Sequence, residues 1–256
     1  MKFGICTQLE NGGTVKAAGW DFVEESVQGL FQGLVASWAG LTRTLTCPLP
    51  IPAANMLVPG QLKITGPEAN VDRLREYMTR VLDRASQTST KTLVFGSGGA
   101  RMVPDDFDPA KAKQQIIDFV NMCMPIAAKK GITIVAEPLN RKECNIINSV
   151  AEAMEYVKAV NHPNFKCLVD SYHLWLEDEP VSNVHENISY IRHVHLADKD
   201  GRVAPGLSET ADYRPLFKVL KAGNYDGLIS VEALNFDIAS DGKKVLDFVK
   251  KQWNEA

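Results

Sequence analysis

The chain has 256 residues, of which 45% are apolar and 23% charged, an ordinary balance for a globular protein. Its 28 basic and 31 acidic side chains are interspersed and leave a net charge of −3, which weighs against nucleic acid as the main partner. We recognise no secretory signal and no apolar run of transmembrane length, so we expect no membrane partner. The five scattered cysteines never form a CxxC pair, which is typical of reduced thiols and predicts a cytoplasmic location.

Four strands and two long helices are predicted in the first half of the chain. Apolar residues recur with a helical period in segment 68–87. Segment 108–131 has Asp at its start, Pro just inside and Gly after its end, which also predicts a helix. Short β-rich runs predict strands over 2–8, 21–27, 52–59 and 91–98. Segment 28–50 has no clean pattern and is predicted to be a long loop over the mouth of the fold.

The second half of the chain alternates regularly between strand and helix patterns. Strands are predicted over 132–139, 165–172, 191–198 and 228–234. Helices are predicted over 149–160, 183–190, 212–223 and 241–253. The whole chain then holds about eight βα units in the length of one domain, and no GxGxxG follows the first strand. We therefore predict an α/β fold of the (β/α)8 TIM barrel type, as a single domain over residues 1–256.

A polar side chain ends each of the last four predicted strands. These residues are Glu137, Asp170, His195 and Glu232. Strand ends of a barrel meet at one face, so the four side chains should point at a common site. Any one of the acids taken alone is more typical of a helix cap or a loop contact than of a metal ligand. Three buried carboxylates together need a counter-charge, and a divalent cation supplies it.

The donor set of this predicted site indicates which ion it holds. One imidazole and three carboxylates form a hard site that suits Mn²⁺, Mg²⁺ or Co²⁺ better than a cysteine-rich zinc site does. We take Mn²⁺ as the first expectation, with Mg²⁺, Co²⁺ or Zn²⁺ as alternatives.

Three further features carry weaker predictions. His193 has the same strand parity as His195, so it should point into the barrel one layer deeper and serve packing or support. Of Glu24 and Glu25 only one can point inward, and parity does not say which. The glycine-rich segment 95–101 lacks the lysine and the spacing of nucleotide-binding loops, and is more typical of a turn than of a phosphate site.

Two sequence motifs and a short loop match a known group of enzymes. They are "EPLNRKE" from residue 137, "DSYH" from residue 170 and "RVAPG" from residue 202. Over residues 130–235 the chain resembles the xylose-isomerase-like TIM barrels, and among them the ketose 3-epimerases of the tagatose and psicose type and the hydroxypyruvate isomerases. The resemblance implies that the four strand-end residues bind the metal. It also implies three substrate-binding residues, Glu143, His173 and Arg202.

The reaction that this resemblance implies moves a proton next to a carbonyl of a small sugar through a metal-stabilised enediolate. Glu137 and Glu232 come from different strands, so we expect them to flank the substrate as an acid/base pair. An isomerase of this kind is an epimerase or an aldose–ketose isomerase. The resemblance to barrels of this group also suggests a homodimer or homotetramer. Three alternatives stay open: a metal-dependent dehydratase on the same site, a DNA-repair endonuclease, and a binding protein without catalysis.

Overall fold

The computed structural model describes residues 1–208 and 210–256, and its centre is a closed barrel of eight parallel strands in chain order. The strands are β1 (Lys2–Cys6), β2 (Phe22–Ser26), β3 (Ala53–Asn55), β4 (Thr92–Phe95), β5 (Thr133–Ala136), β6 (Phe165–Asp170), β7 (Ile191–Leu196) and β8 (Leu228–Val231). Strand β1 pairs with both β2 and β8, which closes the barrel. The predicted (β/α)8 fold is confirmed, whereas the single domain over 1–256 stays a prediction.

Helices lie between successive strands and cover the outside of the barrel. They are α1 (Gly12–Ala17), α2 (Val27–Leu30), α3 (Gly40–Thr46), α4 (Val71–Ala85), α5 (Gly98–Arg101), α6 (Pro109–Lys129), α7 (Val150–Val160), α8 (Ser171–Leu176), α9 (Val181–Glu186), α10 (Arg214–Ala222) and α11 (Ile238–Glu255). Several begin at a side-chain cap, as where the Ser149 hydroxyl accepts from the backbone N–H of Glu152 at 3.0 Å. Among the described residues, no helix combines the length and apolar character needed to cross a bilayer.

The structure differs from the sequence prediction chiefly in the first third of the chain. Strand β3 has three residues, although a strand was predicted over 52–59. The predicted loop over 28–50 contains α3 and most of α2. The predicted helix over 183–190 is divided into α9 and a 3-10 turn at Ile188–Tyr190. Hydrophobic periodicity identifies long elements well, but it carries little information about elements of three to seven residues.

Two apolar layers hold the barrel. A small cluster of Val94, Val135 and Leu168 fills the inside, while a much larger cluster lies between the strands and the surrounding helices. At the carboxyl ends of the strands the inward-facing side chains change from apolar to acidic and imidazole groups, which are buried with them. The alternation of a β-strand therefore places apolar support beneath a polar site.

Candidate metal centre and active site

The four polar strand-end residues come together at one point inside the barrel mouth. Glu137 and Glu232 directly follow β5 and β8, Asp170 is the last residue of β6, and His195 lies near the end of β7. Each offers one ligand atom, and these atoms all lie within 4.8 Å of one another. Three of the residues are buried, and the Glu232 side chain is 20% exposed, toward the mouth. The structure thus brings the predicted set together, while the role of each residue stays a prediction.

The distances inside this cluster fit a site for a divalent cation. His195 Nδ1 lies 3.2 Å from Glu137 Oε1 and 3.5 Å from Glu232 Oε2. Asp170 Oδ1 accepts the backbone N–H of Tyr172 at 2.8 Å, which fixes the orientation of its carboxylate. Asp170 Oδ2 is buried and has no hydrogen-bond partner within the described part of the chain. A buried carboxylate oxygen without a donor is unfavourable unless a cation balances it, so the residues present suit a hard metal ion.

A second carboxylate lies behind the cluster and contacts both barrel histidines. Glu24 is fully buried, and its Oε1 lies 3.0 Å from His195 Nε2. Its Oε2 lies 2.7 Å from His193 Nε2 and accepts the hydroxyl of Ser230 at 2.6 Å. Glu24 is therefore the inward member of the Glu24–Glu25 pair. Because Glu24 accepts a hydrogen bond from the Nε2–H of His195, the Nδ1 lone pair of that ring is left facing the cluster.

Glu25 points away from the barrel interior. Its carboxylate accepts the backbone N–H of Leu9 at 2.9 Å and forms an ion pair with Arg43 at 3.2 Å. This glutamate therefore ties α3 and the β1–α1 connection together outside the site.

The two carboxylates proposed as an acid/base pair have opposite pKa shifts. Burial, reinforced by the neighbouring carboxylates Glu232 and Asp170, raises the pKa of Glu137. Burial also acts to raise the pKa of Glu232, but His195 and Arg202 outweigh it and lower that pKa to about 2. Environments that separate the pKa values of two neighbouring acids are typical of acid/base catalysis.

Arg202 supplies the positive charge at the mouth of the site. Its Nη2 lies 2.6 Å from Glu232 Oε2 and 3.7 Å from Asp170 Oδ2, and its Nη1 lies 3.4 Å from Glu143 Oε1. The guanidinium also lies over the Tyr172 ring, 4.9 Å from its centroid. Arg202 has a φ of 51°, so the backbone adopts a left-handed conformation to present this side chain.

His173 and Glu143 are joined through Asn140. The ring Nδ1 of His173 accepts the backbone N–H of Asn140 at 3.1 Å and lies 2.9 Å from its side-chain amide nitrogen. The same amide donates to Glu143 Oε1 at 2.8 Å. His173 Nε2 therefore carries the proton, and it has no hydrogen-bond partner among residues 1–208 and 210–256. It lies 3.6 Å from Asp170 Oδ2, so it is a donor available to a substrate oxygen beside the cluster.

A cavity of about 410 Å³, here called the main cavity, opens onto this cluster. Its polar wall contains Glu137, Glu143, Arg202 and Glu232. The glycine-rich segment 96–99 lines the cavity beside Glu137 and Glu143, so that segment lines the site as well as forming a turn. At Gly96 an added Cβ would lie 2.1 Å from Glu137 Oε2, so glycine is needed there for the carboxylate to take its place.

Sequence reasoning missed Asn55, which ends β3. Its amide nitrogen donates to Glu232 Oε1 at 2.6 Å and orients that carboxylate. The signal was present, because Asn55 ends its strand as the four cluster residues end theirs. Strand β3 has only three residues, so the sequence pattern does not show where it ends.

Comparisons with known proteins identify the family of this chain. The family model described as "Xylose isomerase-like TIM barrel" matches residues 14–252. The 3-dehydro-D-guloside 4-epimerase of Escherichia coli K12 is 32% identical over 121 residues, which are 47% of this chain and 45% of that protein. The ketose 3-epimerase of Arthrobacter globiformis is 28% identical over 130 residues, 50% of this chain and 44% of that protein. The matched stretch thus spans less than half the length of these two curated relatives.

Among solved structures, the apo crystal structure of 3-keto-D-glucoside 4-epimerase from E. coli has a TM-score of 0.82 at 24% identity. The match covers 98% of this chain and 99% of that one, so the two share a fold along their whole length. The resemblance inferred from the strand-end residues and motifs is confirmed: the chain belongs to the xylose isomerase-like TIM barrel family.

Proposed function

We propose that the protein is a divalent-metal-dependent isomerase that moves a proton next to a carbonyl of a small sugar, as an epimerase or an aldose–ketose isomerase. The observation that carries the proposal is the position of Glu137 and Glu232. They come from different strands, line one cavity, and have pKa values shifted in opposite directions. The matched relatives are named sugar epimerases, which supports the same reaction class.

The metal would be held by Glu137, Asp170, His195 and Glu232, with Glu24 orienting the histidine. When bound, a divalent ion would supply Lewis-acid polarisation of a substrate carbonyl and its neighbouring hydroxyl. Mn²⁺ is the first expectation, followed by Mg²⁺, Co²⁺ or Zn²⁺. The ion's identity, the cytoplasmic location and a homodimer or homotetramer stay predictions.

The chain's own residues would perform the proton transfers. One of the two glutamates takes the proton from the carbon beside the carbonyl, and in an epimerase the other returns a proton on the opposite face. In an aldose–ketose isomerase the proton is returned to the adjacent carbon. His173 Nε2 and Arg202 would donate hydrogen bonds to the substrate oxygen that gains negative charge, and Glu143 would accept from substrate hydroxyls.

The charge of the main cavity favours a neutral substrate. Glu137, Glu143 and Glu232 line it, and Arg202 is the one basic residue among its described lining residues. That guanidinium already contacts Glu232, Glu143 and the buried Asp170. With a divalent ion bound, the site's four carboxylates still exceed the charge of the ion and Arg202 by one, and a phosphate or carboxylate on the substrate would find no unpaired basic side chain. We therefore propose an uncharged keto-sugar, free or within a glycoside.

Hydrogen exchange in deuterated water tests the proposal. The Mn²⁺-loaded protein would be incubated with a panel of ketoses and 3-keto-glycosides, and the recovered sugars would be analysed by NMR. We expect deuterium at C3 of a ketose, or at C4 of a 3-keto-glycoside, if the protein is an epimerase, and at C1 of a ketose if it is an aldose–ketose isomerase. A dehydrated product would instead favour the dehydratase alternative. No exchange in any sugar would reject the proposal.

A further inference from the structure

A second concave site adjoins the main cavity. This side cavity of about 230 Å³ is lined by Gln28, Gln32, Gly33, Leu34, Val35, Pro59 and Tyr77. Gln28 lines both cavities, and Pro59 lies between two residues of the main cavity, Val58 and Gly60. The two cavities therefore share a wall along the segment that follows β3.

The side cavity has apolar walls that are held open. Leu34 and Val35 are 47% and 46% exposed, although Leu30 and Phe31 just before them are fully buried. The Arg84 side chain, itself buried, donates at 2.7–2.9 Å to the four backbone carbonyls of Phe31, Gln32, Val35 and Ala36. A buried guanidinium that fixes a segment while its aliphatic side chains stay exposed makes a pre-formed site, which is the usual form of small-molecule sites.

Apolar side chains also line the main cavity close to Gln28, the residue that both cavities share. Met56 lines the main cavity, is 53% exposed, and has a φ of 54°, a strained value for a residue with a long side chain. The Gln28 amide donates to the Met56 carbonyl at 3.0 Å and supports this conformation. Leu234, 56% exposed, also lines the main cavity. Exposed apolar side chains thus line the main cavity together with its acidic residues.

We propose that the side cavity binds an apolar substituent carried by the substrate sugar. The substrate class is then a glycoside with an apolar aglycone, in place of a free ketose. The sugar hydroxyls would meet Glu143, Arg202 and the metal cluster, and the aglycone would displace water from Leu34 and Val35. This inference rests on the proposed function for the sugar end of the substrate, and adds a second recognition element to it.

An alkyl glycoside series tests the proposal by binding alone. The probes are methyl, butyl, hexyl and octyl β-D-glucopyranoside, titrated calorimetrically into the full-length Mn²⁺-loaded protein below their micelle concentrations. Because burial of one methylene contributes about 0.8 kcal/mol, each should tighten binding by up to about fourfold until the cavity is full. The affinity should therefore rise along the series and then level off.

Three variants locate the effect. Leu34→Ser and Val35→Ser should each reduce the rise in affinity with alkyl chain length. The affinity for the methyl glycoside should stay unchanged. Leu45→Ser is the matched control, because Leu45 is 76% exposed and lines neither cavity. It should bind the series as the wild type does.

Several results would overturn the inference. The inference would be wrong if the wild type bound none of the glycosides, or bound all of them with the same affinity. It would also be wrong if Leu45→Ser lost as much affinity as the two cavity variants. If Leu34→Ser dissociates an oligomer and leaves the series unchanged, the apolar residues form an interface between copies of the chain. The proposed function is tested separately. If the protein binds the alkyl glycosides with the expected trend but exchanges no sugar proton, the side-cavity inference holds and the proposed isomerase reaction is wrong.

Discussion

Replacing Glu24 by glutamine should weaken divalent-metal binding, although Glu24 is not one of the four candidate ligands. Its Oε1 lies 3.0 Å from His195 Nε2, on the side of the ring opposite Glu137 and Glu232. This contact keeps the proton on Nε2 and leaves Nδ1 free as a ligand. Without it the ring could rotate or carry its proton on the wrong nitrogen, and metal binding would have to reverse either change.

The expected size of the effect follows from the contacts of Glu24. Partners of metal-binding histidines typically contribute 10- to 100-fold in metal affinity, on the order of 1.4–2.8 kcal/mol. Glutamine keeps an oxygen acceptor for His195 but removes the charge, so Glu24→Gln should lower the Mn²⁺ affinity about tenfold. Glu24→Ala removes the acceptor and should lower the Mn²⁺ affinity about 100-fold. Ser230→Ala is the control, because Ser230 contacts the other oxygen, Oε2.

Competition against a fluorescent chelator would measure the Mn²⁺ dissociation constant of each metal-free variant. Circular dichroism and urea unfolding would show whether the barrel stays folded. Ser230→Ala should bind Mn²⁺ nearly as the wild type does. If Glu24→Gln and Glu24→Ala also kept the wild-type affinity, the orienting role of Glu24 would be wrong. Two bound ions per chain would likewise contradict it, because Glu24 and the two histidines would then form a second metal site.

Three further predictions concern other parts of the site. Gly96→Ala should lower the rate of deuterium exchange on the order of 10²-fold while the fold stays intact. The new Cβ would lie 2.1 Å from Glu137 Oε2 and displace that carboxylate. An unchanged exchange rate would refute this role of Gly96. Arg84→Met should lower the free energy of unfolding by about 2–4 kcal/mol in urea titrations, because the carbonyls of segment 31–36 lose their donor; an unchanged midpoint refutes this. Burial would raise the pKa of Glu232, but His195 and Arg202 lower it from 4.5 to about 2. Ionised Glu232 therefore stabilises the metal-free fold above pH 4.5, and this stabilisation is lost as the pH falls toward 2. The difference in urea midpoint between wild type and Glu232→Gln should shrink on acidification, and a constant difference would contradict the assignment.

The sequence predicted most of the second half of the fold because strand and helix patterns alternate regularly there. The long helices α4, α7, α10 and α11 are amphipathic, and each strand from β5 to β8 is largely apolar with a polar residue at, near or just after its end. That pattern depends only on the chain's local order and on the rule that barrel strands end at one face. The convergence of Glu137, Asp170, His195 and Glu232 was therefore predictable without coordinates.

The remaining features depend on contacts between distant parts of the chain. The choice between Glu24 and Glu25 requires the register of β2 relative to the barrel axis, and two consecutive acids look alike in sequence. Arg84 looks like a surface residue of an amphipathic helix until its backbone partners, more than 45 positions away, are known. Asn55 ends a strand too short to be identified from its own pattern.

Deuterium exchange in the wild type and in two matched variants tests the central claim most directly. Mn²⁺-loaded wild type, Glu137→Gln and Glu232→Gln would be incubated with a neutral keto-sugar in deuterated water and followed by NMR. With both epimers tested, the proposed acid/base pair predicts that the wild type labels the carbon beside the carbonyl in each and interconverts them. Each variant should lose the interconversion and the labelling of the epimer whose proton the replaced glutamate removes. A wild type that labels no sugar in the panel, or variants that label both epimers as fast as the wild type, would contradict the account.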